Sequence, residues 1–262
     1  MFSRLRTLDI WSGKLDTRVL PLHSNLDSGS MIEDPPVLTI RRDFERPAKE
    51  LLEALAGIPS SFVVDAMNGR GAMAFDIRPL TVGQNSISGF VGTAMPCYCG
   101  PADNLALMAA STLAKPGDVI IAATDRFEGT SLTGDLLLGM AKNRGVAGLV
   151  TDGLVRDVND ILSIGLPVFC RGITANSPAR NGPGTVGLPV TVGDVVVNAG
   201  DIIVADQDAV VVVPQMEAPA VLDRLKVVQE VEAEMNKAVQ NGLQSTEYIV
   251  KLLDSDRVKY IE

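Results

Sequence analysis

Two segments of the chain combine acidic, basic and glycine residues in a way that could bind and polarise a small anion. Thr133-Gly-Asp-Leu-Leu137 opens a predicted helix, and Arg156 and Asp157 stand at the start of the next one. The first turn of a helix leaves backbone amides without intrahelical acceptors, so the amides of Leu136 and Leu137 can bind a carboxylate. Arg156 offers a planar set of donors for a carboxylate or an enolate oxygen, and Asp157 offers oxygen to a metal ion.

The same residues also fit a purely structural role. Asp135 lies beside these amides and can act as a capping acid, while Arg156 and Asp157 can form a solvated ion pair. The glycines do not match Gly-x-Gly-x-x-Gly, and the chain has no Gly-Lys-Ser/Thr phosphate loop, so nothing supports nucleotide binding. The residues by themselves leave the chemical and the structural interpretation open.

The scarcity of histidine argues against the commonest kinds of catalytic site. The 262-residue chain has one histidine, His23, and three cysteines, Cys97, Cys99 and Cys170. Ser-His-Asp and Cys-His catalytic sets do not fit this composition, nor do histidine-based or four-cysteine zinc sites. We interpret the cysteines as ordinary buried thiols. Carboxylates, arginines and backbone amides must then carry any catalysis, which favours a hard cation such as Mg²⁺ bound through oxygen.

The charge balance restricts the kinds of partner. Lysine and arginine number 23 against 32 aspartates and glutamates, and the formal net charge is −9. Because a nucleic-acid surface needs clustered cations, this balance argues against a nucleic-acid partner and against an anionic membrane. No apolar run approaches the roughly 18 residues that a membrane-spanning helix needs. With no signal peptide and no disulfide framework in the sequence, we expect a cytoplasmic protein.

The hydrophobic pattern predicts alternating helices and strands, then a β-rich part that ends in a long helix. Helices are expected over 47–55, after Pro101 until Lys115-Pro-Gly117 ends the helix, and over 135–144, 157–164, 215–240 and 245–253. Strands are expected over 118–122, 146–151, 167–170, 190–192, 195–197, 202–205 and 210–213, with a loop over 176–187. We expect residues 1–45 to be a peripheral extension and residues 46–262 to form a single layered α/β domain.

The sequence resembles the family of regulator of ribonuclease activity A and 4-hydroxy-4-methyl-2-oxoglutarate aldolase. That family has a Gly-rich helix opening, about twenty residues, and then Arg-Asp-x-x-Glu/Asp. Here twenty residues separate Asp135 from Arg156, and Arg156-Asp-Val-Asn-Asp160 completes the motif. The similarity extends over about residues 48–240 and includes Lys115-Pro-Gly-Asp-Val-Ile-Ile-Ala122.

The resemblance implies a layered β/β/α swivelling-domain-like fold and a metal-dependent pyruvate aldolase. It also implies a homotrimer or a dimer of trimers, with active sites between subunits, and a small 2-oxo acid as substrate. Asp157 would ligate Mg²⁺ or Mn²⁺, and Arg156 would contact the keto and hydroxyl oxygens. The amides of Leu136 and Leu137 would hold the pyruvyl carboxylate, and Asp135 would position a water for proton transfer.

Catalytic members of the family also have acidic residues that hold metal-bound waters. Asp65 matches the first of these, with Asp in place of the more usual Glu, and Glu232 fits the second, although Glu230 and Glu234 leave its register open. Each also fits a solvated helix face. These acids favour an aldolase that also decarboxylates oxaloacetate. The alternatives are a non-catalytic regulator that binds a ribonuclease and a different carbon–carbon lyase acting on another 2-oxo acid.

Overall fold

The computed structural model describes residues 35–81 and 89–261. The described strands are β1 Leu38–Ile40, β2 Arg78–Pro79, β3 Phe90–Tyr98, β4 Asp118–Ala123, β5 Ser131–Thr133, β6 Gly148–Thr151, β7 Leu154–Val155, β8 Val168–Cys170, β9 Gly172–Ile173, β10 Gly184–Val186, β11 Val190–Val192, β12 Val195–Val197, β13 Ile202–Ala205 and β14 Val210–Val213. The described helices are α1 Lys49–Leu55, α2 Ser60–Ala66, α3 Leu105–Leu113, α4 Asp135–Asn143, α5 Val158–Ile164, α6 Ala218–Gln240 and α7 Glu247–Leu253, with a 3₁₀ turn at Gln215–Glu217 before α6.

The main sheet has the strand order β1-β10-β3-β4-β6-β8-β2. Strands β3, β4, β6 and β8 are parallel neighbours, and β2 joins β8 in antiparallel orientation. One edge of the long strand β3 pairs with β13 through residues 90–93 and with β10 through residues 97–98. Two small sheets, β11-β12 and the parallel β5-β7-β9, complete the described β structure.

The main sheet is buried on both faces. In β4, Ile120 and Ala122 point into a cluster with the apolar faces of α3, α4 and α5. Val119 and Ile121 point to the opposite face, where β11 and β12 cover the sheet. This alternation is the period of two that a strand imposes on its side chains. The result is a layer of helices, the main sheet and a second β layer, as the β/β/α expectation requires.

A third apolar cluster lies where α1, α2 and α6 pack on β13 and β14. The buried residues of α6, Val221 and Leu225, lie near its start. Farther along α6 the side chains of Val227, Val231 and Met235 are exposed. Within residues 35–81 and 89–261, no helix is long and apolar enough to cross a membrane.

The predicted helices and strands are confirmed, with ends displaced by a few residues, but β3, the longest described strand, was not predicted. Strand β3 contains Gly92 and Pro96, and both residue types are poor strand formers. Gly92 is required by close packing, because a Cβ there would lie 2.5 Å from the backbone oxygen of Gly117. The predicted loop over 176–187 was also wrong in part, since it contains β10.

The N-terminal boundary differs from the one expected. Residues 38–40, assigned to the peripheral extension, form β1, which pairs with β10, and the compact unit begins at Pro36. Arg46 then makes two bonds to the buried carboxylate of Asp118, from Nε to Oδ1 at 3.0 Å and from Nη2 to Oδ2 at 2.8 Å. Residues 1–34, including His23, lie outside the described residues, so the peripheral role of residues 1–30 stays a prediction.

Candidate functional site

The candidate site lies where two adjacent parallel strands run into helices. Strand β5 continues through Gly134 into α4, and β7 continues through Arg156 and Asp157 into α5. Because the carboxyl ends of neighbouring parallel strands meet at one edge, the two junctions come together. The backbone amide of Arg156 donates to the Thr133 carbonyl at 3.0 Å. Pairing of β5 with β7 therefore joins the two segments that are separated in the sequence.

Gly134 makes room for the acidic residue of the second segment. A Cβ at this position would lie 2.2 Å from Oδ2 of Asp157 and 3.2 Å from Nε of Arg156. The backbone of Gly134 is extended, with φ −133° and ψ −169°, so any residue could adopt it. Glycine is therefore needed here for the close approach of the carboxylate and not for a special backbone conformation.

Asp135 is the first residue of α4 and not its cap. The N-cap residue is Gly134, and the N-terminus of α4 has no side-chain capping bond, so the expected capping role of Asp135 is wrong. The Asp135 carboxylate instead lines a cavity beside the first-turn amides. A position in the first turn also places its charge near the positive end of the helix dipole.

Arg156 is oriented by two oxygen atoms. Its Nε lies 3.1 Å from Oδ2 of Asp157, and its Nη1 donates to Oγ of Ser177. The side chains of Arg156 and Asp157 are 38% and 36% exposed, so both groups remain accessible. Asp157 has a left-handed backbone, with φ 59° and ψ 43°. A conformation that costs a non-glycine residue on the order of 1 kcal/mol directs the Asp157 carboxylate toward Gly134.

Arg156 and Ser177 line a cavity of about 210 Å³. The lining residues come from the start of α3, from the β5–α4 junction, from Arg156 and from the loop before β10: Asn104, Met108, Thr133, Gly134, Asp135, Leu136, Leu137, Met140, Arg156, Ser177, Pro178 and Arg180. Leu136 and Leu137 belong to the first turn of α4, and both residues line the cavity. The structure thus places Asp135, Leu136, Leu137 and Arg156 on the cavity wall, and Asp157 contacts Arg156 beside it. The catalytic and binding roles expected of these five residues stay predictions.

Three polar residues of this cavity escaped sequence analysis. Ser177 and Arg180 belong to a loop that matches no motif, and neither spacing nor composition singles them out. Asn104 is 6% exposed and donates from Nδ2 to the Leu132 carbonyl at 3.0 Å, while its Oδ1 has no hydrogen-bond partner among the described residues. Only the packing of this loop against the start of α3 reveals their common location.

Asp152 has a structural role next to this site. Its carboxylate accepts hydrogen bonds from the backbone amide of Thr124 at 2.7 Å, from Oγ1 of Thr124 at 3.0 Å and from the amide of Arg126 at 3.1 Å. Burial raises the pKa of Asp152 above its ordinary value, although these hydrogen bonds oppose the shift. Asp152 therefore holds the loop after β4 in place.

The cysteines have the inert character expected of them. All three are buried and free. The hydrogen bond with Cys99, together with complete burial, raises the pKa of Cys97 well above its ordinary value. Burial raises the pKa of Cys170 to about 11. Because the thiolate is the reactive form, neither group is suited to nucleophilic or metal chemistry near neutral pH.

Asp65 and Glu232 lie away from this cavity within the single chain. Asp65 is exposed on α2 and Glu232 is partly exposed on α6, two helices that pack against each other. Neither residue lines the cavity. Their suggested part in holding metal-bound waters, at a site shared between subunits, stays a prediction.

The donor set around Asp157 fits a magnesium ion better than a zinc ion. Within residues 35–81 and 89–261, no three His, Cys, Asp or Glu side chains are grouped to hold a metal. Mg²⁺ is commonly bound through one or two carboxylates, with waters and substrate oxygens as the other ligands. The partly exposed Asp157 carboxylate meets that requirement as a single protein ligand.

Comparison with known proteins shows the family to which the chain is similar. The family model RraA-like, Aldolase/RraA, matches residues 60–212, which include the whole junction site. A protein of Halalkalibacterium halodurans, provisionally named 4-hydroxy-4-methyl-2-oxoglutarate aldolase, is 33% identical over 197 residues, covering 75% of this chain and 92% of the relative.

Solved structures show the same fold. A Streptomyces coelicolor protein, described as an unusual member of the RNase ES inhibitor RraA protein family, has a TM-score of 0.64 and 27% identity. That match covers 73% of this chain and 99% of the other. An uncharacterized Pseudomonas syringae protein has a TM-score of 0.66 and 23% identity, covering 77% of this chain and 97% of the other, which shows the fold alone.

Proposed function

This chain belongs to the RraA-like Aldolase/RraA family, and we propose that it is a divalent-metal-dependent lyase that forms pyruvate from a 4-hydroxy-2-oxo acid. The preferred substrate type is 4-hydroxy-4-methyl-2-oxoglutarate, and oxaloacetate decarboxylation is the expected side reaction. The observation that carries the proposal is the contact of Gly134, Arg156 and Asp157 at the start of α4, beside a cavity of about 210 Å³. The cavity wall includes the amides of the first turn of α4, the Arg156 guanidinium and the Asp135 carboxylate.

The reaction is an aldol cleavage with a defined balance of atoms. The C3–C4 bond of the substrate breaks, the C4 hydroxyl loses its proton, and C4 becomes the carbonyl carbon of the leaving 2-oxo acid. The electron pair of the broken bond passes to C3 and gives pyruvate enolate. One proton must then be added at C3 to give pyruvate. The protein must therefore stabilise negative charge at one oxygen and handle one proton.

The residues around the cavity divide these tasks. The amides of Leu136 and Leu137 bind and orient the pyruvyl carboxylate, aided by the positive end of α4. The Arg156 guanidinium, held by Ser177, stabilises the negative charge on the enolate oxygen. The Asp135 carboxylate positions a water that exchanges a proton with C3.

A divalent cation fits beside these groups. Asp157 would hold Mg²⁺ or Mn²⁺, and the bound cation would supply Lewis-acid stabilisation of negative charge on the substrate oxygens. Asp65 and Glu232 are proposed to reach this region from a neighbouring subunit, in a homotrimer or a dimer of trimers. The donor chemistry of Asp157 supports the proposed metal site. Family membership supports the proposed contribution of Asp65 and Glu232 from a neighbouring subunit.

The test uses chelator-treated protein and a coupled assay for pyruvate. Oxaloacetate and 4-hydroxy-4-methyl-2-oxoglutarate are supplied with and without Mg²⁺ or Mn²⁺, and a protein-free metal reaction gives the background. Metal-dependent release above background supports the proposal, and Arg156→Ala and Asp157→Ala should each abolish it. Asp223→Ala removes an exposed carboxylate of α6 and should leave the rate unchanged. Absence of release with both metals would reject the lyase proposal.

A second candidate function is a non-catalytic regulator that binds a ribonuclease. The observation that favours it is the likeness to the Streptomyces coelicolor member of the RNase ES inhibitor family. Comparing ribonuclease inhibition with pyruvate release distinguishes the two functions, because a regulator needs neither the metal nor the cavity charges. Inhibition of a ribonuclease that survives Asp157→Ala, without any pyruvate release from the wild-type protein, would favour the regulator. Release of pyruvate from a third type of 2-oxo acid would indicate a different carbon–carbon lyase.

A further inference from the structure

Arg180 is a cavity-lining cation that has no counter-ion within residues 35–81 and 89–261. It lines the same cavity as Asp135 and Arg156. Among the described residues, its side chain has no hydrogen bond and no ion pair. Arg156 differs, because it contacts both Asp157 and Ser177. The charge of Arg180 is therefore free for a ligand in the cavity.

The backbone that carries Arg180 is held on both sides. Before it, the amide of Ala179 donates to the Ala102 carbonyl at 2.7 Å, and the Ala179 carbonyl accepts from the amide of Asn104 at 3.1 Å. After it, the amides of residues 181 and 182 donate to one carboxylate oxygen of Asp103, at 2.5 and 3.1 Å. Asp103 is 8% exposed. Arg180 therefore extends from an anchored segment, which lowers the entropy lost when its side chain binds an anion.

The charges on the cavity wall indicate what Arg180 binds. The charged lining residues are Asp135, Arg156 and Arg180, and Arg156 is partly neutralised by Asp157. Asp135 repels a second anionic group near the amides, whereas Arg180 attracts one. A guanidinium binds a carboxylate through two parallel hydrogen bonds, which gives both charge and shape selectivity.

We propose that Arg180 binds the carboxylate at the far end of the substrate and so selects dicarboxylic over monocarboxylic 4-hydroxy-2-oxo acids. This inference rests on the proposed lyase function, since it takes the pyruvyl end of the substrate to lie at the amides of α4. Arg180 is then a specificity-determining residue. It has no part in breaking the C3–C4 bond.

The catalytic test compares two substrates that differ at the far end. Rates are measured for 4-hydroxy-2-oxoglutarate, which has the second carboxylate, and for 4-hydroxy-2-oxopentanoate, which has a methyl group there. Arg180→Gln should lower the ratio of the two kcat/KM values by roughly 10- to 100-fold, mainly through a higher KM for the diacid. Arg180→Lys keeps the charge but loses the two-pronged geometry, so its ratio should fall by less. Arg257→Gln, outside the cavity, is the matched control.

A binding measurement separates failure of this inference from failure of the proposed function. Calorimetry compares 2-oxoglutarate with 2-oxopentanoate, which lack the 4-hydroxyl group and are not cleaved. Arg180→Gln should weaken the binding of 2-oxoglutarate relative to that of 2-oxopentanoate by the same factor of roughly 10 to 100. If the wild-type protein cleaves neither substrate but keeps this Arg180-dependent binding preference, the lyase proposal fails and the subsite remains. If Arg180→Gln leaves both the kcat/KM ratio and the ratio of the binding constants within about twofold of wild type, Arg180 does not bind the far carboxylate.

Discussion

Replacing Gly134 by alanine should disable the site without unfolding the protein. The new Cβ would lie 2.2 Å from Oδ2 of Asp157, well inside the roughly 3.3 Å of an ordinary carbon–oxygen contact. The carboxylate must therefore move by about 1 Å, and Arg156 must move with it. A displacement of that size in a catalytic site costs about 100-fold in rate, or ~2.7 kcal/mol of transition-state stabilisation. We expect metal-dependent pyruvate release from oxaloacetate to fall by that factor.

The same substitution should change stability little. The extended backbone of Gly134 accommodates alanine without strain. The ion pair it disturbs joins side chains that are 38% and 36% exposed, and such pairs contribute about 0–1 kcal/mol. Alanine is also a weaker N-cap residue than glycine. Urea unfolding should therefore show a loss of about 1 kcal/mol, with native secondary structure retained.

Gly139 supplies the matched control in the same helix. A Cβ at Gly139 would meet only Cδ1 of Ile164, at an ordinary 3.8 Å. Gly139→Ala should leave the rate unchanged and stabilise the protein by about 0.5–1 kcal/mol, because alanine favours the helix. Wild-type turnover in Gly134→Ala would refute the reasoning that the position of the Asp157 carboxylate matters. Equal losses in both variants would show a general effect of perturbing α4.

Three further predictions test the site and its surroundings. Arg156→Lys should lose roughly 100-fold in turnover, because a compact ammonium cannot replace a planar guanidinium held by Ser177; a wild-type rate would show that charge alone suffices. The hydrogen bond from Arg171 holds the pKa of Asp76 below its ordinary value. The resulting stabilisation is present at pH values above the ordinary pKa and is lost as the pH falls through the lower pKa of the folded protein. Asp76→Asn should therefore lower the free energy of unfolding by about 1–2 kcal/mol at pH 7, and the difference from wild type should vanish in acid. Urea titrations of both proteins at several pH values measure this difference. A difference that does not change with pH would contradict the prediction. Deleting residues 1–30 should leave the melting temperature and the rate nearly unchanged, whereas a collapse of either would show that the segment is integral.

The local elements of this protein could be read from its sequence. Helices α4 and α5 have helical spacing of apolar residues, and β13 and β14 are short apolar runs bounded by turn residues, so their positions follow from local preference. The interval between Asp135 and Arg156 also located the two halves of the candidate site. Strand β3 was not predicted because it contains Gly92 and Pro96, two residue types with low strand propensity. Pairing with neighbouring strands on both of its edges stabilises it in the fold.

The contacts within the site depend on non-local pairing. Strands β5, β7 and β9 have two or three residues each, too few to show a period, yet their parallel pairing brings Gly134 against Asp157. Ser177 and Arg180 reach the cavity because backbone bonds hold their loop against the start of α3. Residue types and local spacing thus indicated which chemistry the chain could carry. Hydrogen bonds between segments far apart in the sequence decided which side chains share the cavity, because such bonds leave no periodic pattern along the chain.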